Sequence, residues 1–316
     1  MHWTSLLHEL SQGFITLGVE WPRLIMIGVG GILIWLAIAK EYEPVLLLPI
    51  GAGCILANIP LTGMNIGQHH GLFDVLYQGG IVNELFPLLI FIGVGAMTDF
   101  GPLLENPRMA LLGAAGQFGI FGTLLLATLS GYTIEESASI GIIGSADGPT
   151  SIYVASKLAP HMLGPIAVAA YSYMSLVPVI QPPVMRLLTT RQQRLIKMPY
   201  TSRPVSRTTR ILFPIVVTLL TGTLVPLATP LISMLMFGNL LREALVVERL
   251  SKAAPNELVN IVTIFLGLAI GSTMVAEQFL TLKTIGIIIM GVIAFALDTA
   301  GGVAVSYTHL TLPTNA

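Results

Sequence analysis

Apolar residues arrive in long runs, and polar residues collect in the short gaps between them. The runs cover residues 24–39, 45–58, 81–97, 109–129, 164–180, 211–227, 229–241, 258–275 and 284–305. A helix needs about twenty mostly apolar residues to cross hydrocarbon. Most of the runs therefore predict membrane spans. The run 45–58 is shorter and contains Pro49, so it is either a half-span or a span extended with Leu61 and its neighbours. Lys40-Glu41-Tyr42-Glu43-Pro44 closes the first run, and Gln181-Pro182-Pro183 closes the one at 164–180. Ahead of the first run, His2 to Trp21 reads as an amphipathic interfacial helix anchored by Trp3 and Trp21.

The pattern is interrupted most informatively at 140–156. There Ile143-Gly144-Ser145-Ala146-Asp147-Gly148-Pro149-Thr150 sets one carboxylate among small and apolar residues. Glycine admits left-handed backbone, and proline disfavours helix just before itself. A helix entering this stretch is expected to break at Asp147. Backbone groups freed in a water-poor place must find partners, and in transporters such broken segments coordinate cations with carbonyls and a carboxylate. Asp147 is thus a candidate intramembrane cation ligand. The competing reading is a solvent-exposed Asp-Gly-Pro turn between two spans. A second break is expected across Thr98-Asp99-Phe100-Gly101-Pro102, which continues to Pro107.

Composition agrees with a membrane. Of 316 residues, 54% are hydrophobic and only 10% charged, against about 25% charged in a soluble domain. The net charge of -1 offers no nucleic-acid footprint. The single cysteine, Cys54, cannot form an internal disulfide. Basic residues are unevenly placed. Arg186, Arg191, Arg194, Lys197, Arg203, Arg207 and Arg210 fall in one segment with no acidic residue among them. The positive-inside rule makes that segment cytoplasmic, and it is a candidate surface for an acidic partner or anionic lipid headgroups.

Other features carry weaker chemistry. Gly113, Gly116, Gly119 and Gly122 recur every three residues, as suits close helix packing or a smooth sliding surface. His69-His70 invite a metal reading, but adjacent side chains do not face each other on a helix. Asp298 lies inside the last run, where a carboxylate costs about 2.5–3.5 kcal/mol at a helix centre, so it is expected to face protein, a cavity or water. Phe100-Gly101-Pro102-Leu103-Leu104-Glu105 echoes Phe237-Gly238-Asn239-Leu240-Leu241-Arg242, a paired interruption of the kind inverted repeats show. The end, Ser306 to Ala316, abandons the membrane pattern and reads as a translated adapter or cloning scar. The expected layout is an interfacial segment at 1–22, a first membrane repeat at 23–185, a basic cytoplasmic loop at 186–210, the start of an incomplete second repeat at 211–305, and the scar at 306–316. The fold class is all-α, polytopic, with transporter-like inverted repeats and broken or re-entrant helices.

Long signatures add a resemblance. They include Gly93-Val94-Gly95-Ala96-Met97-Thr98-Asp99-Phe100-Gly101-Pro102-Leu103-Leu104, Gln117-Phe118-Gly119-Ile120-Phe121, Gly144 to Thr150, and Tyr171-Ser172-Tyr173-Met174, followed through to Pro183. From Leu36 to about Val303 the chain resembles the beta subunit of the sodium-pumping biotin-dependent decarboxylases, the group that includes oxaloacetate decarboxylase. The resemblance implies a bacterial inner-membrane subunit. It would decarboxylate carboxybiotin delivered by a partner and couple this to sodium export, with a proton consumed. The family's Gly-Gly-Ala-Asp-Gly-Pro-Thr motif places its carboxylate on Asp147, with Gly144, Ser145 and Thr150 as further sodium-site residues. Here Ser145 stands at the motif's second glycine. The tyrosine proposed in the family to carry a proton falls on Tyr173. The implied partners are a carboxyltransferase and biotin-carrier alpha subunit and a small gamma subunit. Lys197-Met198 lacks the methionine that precedes a biotinylated lysine, so biotin is expected on another chain. Asp298 stands where the family pattern has a small residue. A second Gly-Ser-Ala motif and an asparagine-bearing span belong to the family's site and are expected beyond Val305, which would leave a chain ending at Ala316 inactive. A sodium-coupled carboxylate transporter without chemistry is the rival expectation.

The physical logic is independent of the family. An ionised carboxylate in a low-dielectric break is costly unless a cation or proton offsets it. Sodium and proton then compete for one group. Expelling a sodium ion against about 100 mV costs about 2.3 kcal/mol; the resemblance implies that loss of carbon dioxide from carboxybiotin would supply it.

Overall fold

A computed structural model describes residues 11–13, 15–60, 62–64, 66–67, 71–195 and 205–306. Residues 1–10 of the expected interfacial helix, His69 and His70, Lys197, Arg203 and the segment 307–316 lie outside the described residues. What is described is helical, with no strand among those residues. The helices that carry the architecture are α1 (Pro22–Ala39), α2 (Pro44–Asn58), α3 (Leu85–Met97), α4 (Ala110–Leu129), α5 (Ile134–Gly141), α6 (Gly148–Leu158), α7 (Leu163–Leu188), α8 (Arg207–Leu224), α9 (Thr229–Ala244), α10 (Val259–Ser272) and α11 (Leu282–Val305).

Among the described residues, four helices are long and apolar enough to cross a membrane, and up to six if each bent pair is one span. Ile32, Trp35, Ile38, Phe118, Phe121, Leu125, Leu219, Ile285 and Ile289 are all exposed. Large side chains in such number on the outside belong against lipid. This is an all-α, multi-pass membrane protein.

Between the helices the packing is tight, because glycines let backbones touch. α1 and α2 pair reciprocally: a Cβ on Gly30 would lie 2.7 Å from the Gly51 carbonyl oxygen, and one on Gly51 would lie 2.7 Å from that of Gly30. α10 packs on the other side of α2, with Gly267 against Pro49. Asn58 joins the two by donating to the Met274 carbonyl at 2.9 Å, and the Cys54 thiol donates to the Met26 carbonyl of α1 at 3.3 Å. α3 and α9 form a second reciprocal pair, Gly95 lying on the Leu235 carbonyl and Gly238 on the Ile92 carbonyl. α4, α7 and α11 pack together as a third group, which holds α5 and α6.

The expected break after residue 97 is present. α3 stops at Met97, and a short helix, Gly101–Glu105, follows. Its echo, Phe237 to Arg242, is not an interruption: it lies inside the continuous helix α9. The two segments meet instead. Asn239 donates to the Thr98 carbonyl at 3.1 Å, and Arg242 donates to the Met97 carbonyl at 2.8 Å. The second segment thus satisfies carbonyls that the ending of α3 leaves open.

Three other elements depart from the hydrophobic pattern. α7 does not stop at Gln181-Pro182-Pro183 but runs to Leu188, with its two parts, Pro160–Met174 and Val179–Leu188, bent by 68°. Bending accommodates prolines that would otherwise end the helix. A break also precedes α3, where Leu72–Val82 meets Leu85–Met97 at 58° and Glu84 takes a left-handed conformation, φ 64°. The stretch between the runs 229–241 and 258–275, charged at Glu248, Arg249, Lys252 and Glu257, is helical from Glu248 and leads into α10, so that Glu248–Ser272 reads as one span. Pro255 lies inside this span, at a π-helical segment, Ala254–Leu258, an irregularity of the kind that goes with a proline in a helix interior.

Candidate functional site

The break at Asp147 is assembled from the loop before it. Thr133 caps α5 with a capping box to Glu136, which fixes where the helix begins. α5 lies against α4 because Gly141 is bare: a Cβ there would be 2.8 Å from the Ile120 carbonyl oxygen. The helix tightens into a 3-10 turn at Ile142–Ser145. Ala146 is left-handed, φ 54°, Asp147 is extended, and α6 starts at Gly148 with Pro149 in its first turn. Gly144, at the centre of the turn, is wedged between α4 and α11: a Cβ there would be 3.2 Å from the Gly119 backbone and 3.3 Å from the Ala294 Cβ.

Asp147 is half-buried, and Gly144, Gly148 and Pro149 around it are buried. The stretch is therefore not a surface turn. The Thr150 hydroxyl donates to Asp147 Oδ2 at 2.5 Å. Ser151 donates to the Asp147 carbonyl at 2.9 Å, and Ser145 donates to the Ile142 carbonyl at 2.7 Å. Hydroxyls that have donated their protons still present lone pairs. The chemistry at hand is thus one carboxylate and three hydroxyl oxygens turned into acceptors. Hard monovalent and divalent cations favour all-oxygen sets of this kind.

The structure separates the two tyrosines of α7. Residues i and i+2 point to different sides of a helix, so only one can face the break. Tyr173 turns to α11. Its hydroxyl donates to the Ile288 carbonyl, and its ring meets the Phe295 ring edge-on at 6.0 Å. Tyr171 turns to Asp147. It is fully buried, its ring lies over Gly148, and a Cβ on that glycine would be 2.7 Å from the Tyr171 oxygen. The Tyr171 hydroxyl has no hydrogen-bond partner among the described residues. Sequence reasoning singled out Tyr173 and passed over Tyr171. The two-residue spacing and the bare Gly148 were the available signals.

Asp298 sits on the same seam, one turn along α11 from Ala294. Its Oδ1 would be 2.7 Å from a Cβ on Gly116, and it lines a cavity of about 460 Å³ with Gln181, Arg186, Gln193 and Thr299. The basic segment is partly anchored. Arg207 donates to the Ala244 carbonyl at 2.9 Å, and Arg210 lies 3.9 Å from Glu243. Arg186 is in the last turn of α7.

A sequence model of the Na+-transporting oxaloacetate decarboxylase beta subunit matches residues 22–315. The chain belongs to that family. It is 58% identical over 279 residues to the methylmalonyl-CoA decarboxylase subunit beta of Veillonella parvula, covering 88% of this chain and 73% of that protein. It is 54% identical over 300 residues to the glutaconyl-CoA decarboxylase subunit beta of Acidaminococcus fermentans, covering 95% and 78%. The oxaloacetate decarboxylase beta chain of Klebsiella pneumoniae is 46% identical over 356 residues, covering 94% and 82%. This chain is accordingly the membrane subunit of a sodium-extruding decarboxylase, one component of a complex with partner subunits.

Proposed function

We propose that this subunit removes carbon dioxide from carboxybiotin carried on a partner chain, and that the reaction drives sodium out of a bacterial cell across its inner membrane while consuming a proton. The observation that carries the reading is Asp147: a half-buried carboxylate at a helix break, met on one side by the Thr150 hydroxyl. Such a group is tolerated as an anion only beside a cation, and otherwise as a neutral acid. Exchange of sodium for a proton at one carboxylate follows.

In this reading Asp147 binds sodium together with the Gly144 carbonyl and the Ser145 and Thr150 hydroxyl oxygens. Tyr173, whose phenol bridges α7 and α11, carries the proton. Biotin is held by an alpha subunit that is also the carboxyltransferase, and a small gamma subunit completes the complex. The basic segment 186–210 faces the cytoplasm as the docking surface. The membrane portion is two repeats, 23–185 and 211–305. The named relatives act on methylmalonyl-CoA, glutaconyl-CoA and oxaloacetate. That spread fits a beta subunit that meets only carboxybiotin, the choice of acid resting with the carboxyltransferase.

The test is Asp147→Asn in the assembled complex, reconstituted in liposomes. Sodium-stimulated release of carbon dioxide from carboxybiotin is expected to vanish while assembly persists. Sodium-stimulated turnover at the wild-type rate would defeat the assignment.

A further inference from the structure

The least explained polar atom beside the break is the Tyr171 hydroxyl. Leaving a buried hydroxyl without a partner costs about 1–3 kcal/mol. A phenylalanine would fill the same space without that cost, because deleting an orphaned polar group for an apolar one of the same shape is close to neutral. Packing alone therefore gives no reason for the oxygen. Other buried hydroxyls share its condition, among them Thr123, Ser137 and Tyr153. Tyr171 differs in its position. Its ring covers Gly148, the residue that follows Asp147, and its oxygen sits where a Cβ of that residue would nearly touch it. Gly148 is not in the left-handed region. An L side chain is conformationally admissible there, and the three atoms its Cβ would meet first all belong to Tyr171.

We infer that Tyr171 is an oxygen donor to the cation held at Asp147, and that its hydroxyl finds its partner only when the ion is bound. The inference rests on the sodium-site reading of Asp147 and adds a residue to it. A phenolic oxygen keeps two lone pairs for a cation. No bond is made or broken, and no proton need leave the phenol. Tyr171 is thus a binding and positioning residue. Full enclosure by protein gives it a selective consequence. An oxygen fixed by packing can be matched to one ionic radius, whereas a mobile ligand adapts to several.

The experiment compares Tyr171→Phe, Gly148→Ala and Asp147→Asn in the reconstituted complex. Decarboxylation is followed against sodium and against lithium concentration, and each solubilised variant is heated to unfolding. Tyr171→Phe is expected to raise the half-saturating sodium concentration about tenfold, the equivalent of one lost contact of about 1.4 kcal/mol. It should also change the preference for sodium over lithium, with no fall in unfolding temperature. Gly148→Ala keeps the phenol but displaces it, and should raise half-saturating sodium in the same direction. Unchanged sodium dependence and ion preference in both variants, with Asp147→Asn inactive, would overturn the role of Tyr171 alone. Sodium-stimulated activity in Asp147→Asn would overturn the whole site. A fall in stability with unchanged sodium dependence would show that Tyr171 only packs.

Discussion

Glu136 offers a test of how one end of the bundle is held. It lies in the first turn of α5, outside the membrane-spanning helices, with a side chain only 6% exposed. Oε2 accepts the Thr133 N–H at 3.0 Å, completing the capping box. Oε1 accepts from Lys283 Nζ at 2.7 Å and pairs with His161 Nε2 at 3.0 Å. Lys283 belongs to α11, and its ammonium lies 5.7 Å from the Tyr132 ring centre. Glutamine at this position keeps the cap, since its side-chain oxygen also serves a capping box. Glu136→Gln therefore keeps the cap but removes the charge and turns an amide N–H2 toward Lys283 where Oε1 accepted. Lys283 is 55% exposed, so water screens the pair, and the loss should be about 1 kcal/mol, the upper end for an exposed ion pair. Glu136→Ala removes the cap as well, for about 2 kcal/mol in all. The measurement is unfolding of the solubilised complex for Glu136→Gln, Lys283→Met and the double variant. A coupling of about 1 kcal/mol between the two is expected. The pH dependence has a definite sign. Burial pushes the Glu136 carboxyl up, but the Lys283, Thr133 and His161 hydrogen bonds outweigh it and bring it from 4.5 down to about 2. The folded state then holds fewer protons than the unfolded one below pH 4.5. The stabilisation is complete above that pH, declines as pH falls, and is gone below about 2. Strict additivity of the two single variants, or an advantage over Glu136→Gln that grows on acidification, would refute this account.

Further expectations concern Tyr173 and the helix seams. Tyr173→Phe deletes the bond to the Ile288 carbonyl and, as the proposed proton carrier, should lower turnover strongly at saturating sodium; unchanged rates across pH would remove that role. The same change should cost about 1 kcal/mol of stability, read in the same unfolding assay. Gly95→Ala drives a methyl into the Leu235 carbonyl and should destabilise by about 1–3 kcal/mol. Gly113→Ala, with nothing within 4 Å, should cost nothing and serves as its control; equal losses at both positions would show that the α3–α9 seam is not held by backbone contact.

The spans were legible because hydrocarbon forces apolar runs of fixed length. The break at Asp147 was legible because Gly148-Pro149 is a local instruction that few surroundings override. What depends on a second helix was not. Nothing near Gln181-Pro182-Pro183 states that α7 will bend and continue, since that follows from its packing on α11. The turn at Glu84 reads as ordinary apolar sequence apart from Asn83-Glu84. Glu84 is met there by Lys157 at 2.7 Å, a partner from α6. The choice between Tyr171 and Tyr173 was likewise invisible, because it turns on which face of α7 meets α6 and which meets α11. The echo at 237–242 was noticed for the wrong reason: its residues do not repeat the first break but supply Asn239 and Arg242 to it.

Cys54 is enclosed, and its thiol is occupied by the Met26 carbonyl. As the only sulfhydryl in this chain, it leaves these residues chemically silent toward maleimides and methanethiosulfonates under native conditions. Reporter groups can therefore be attached at engineered sites without first stripping the natural residue. A pair of spin labels flanking the bend in α7 would follow that hinge through a turnover cycle without a competing label on Cys54.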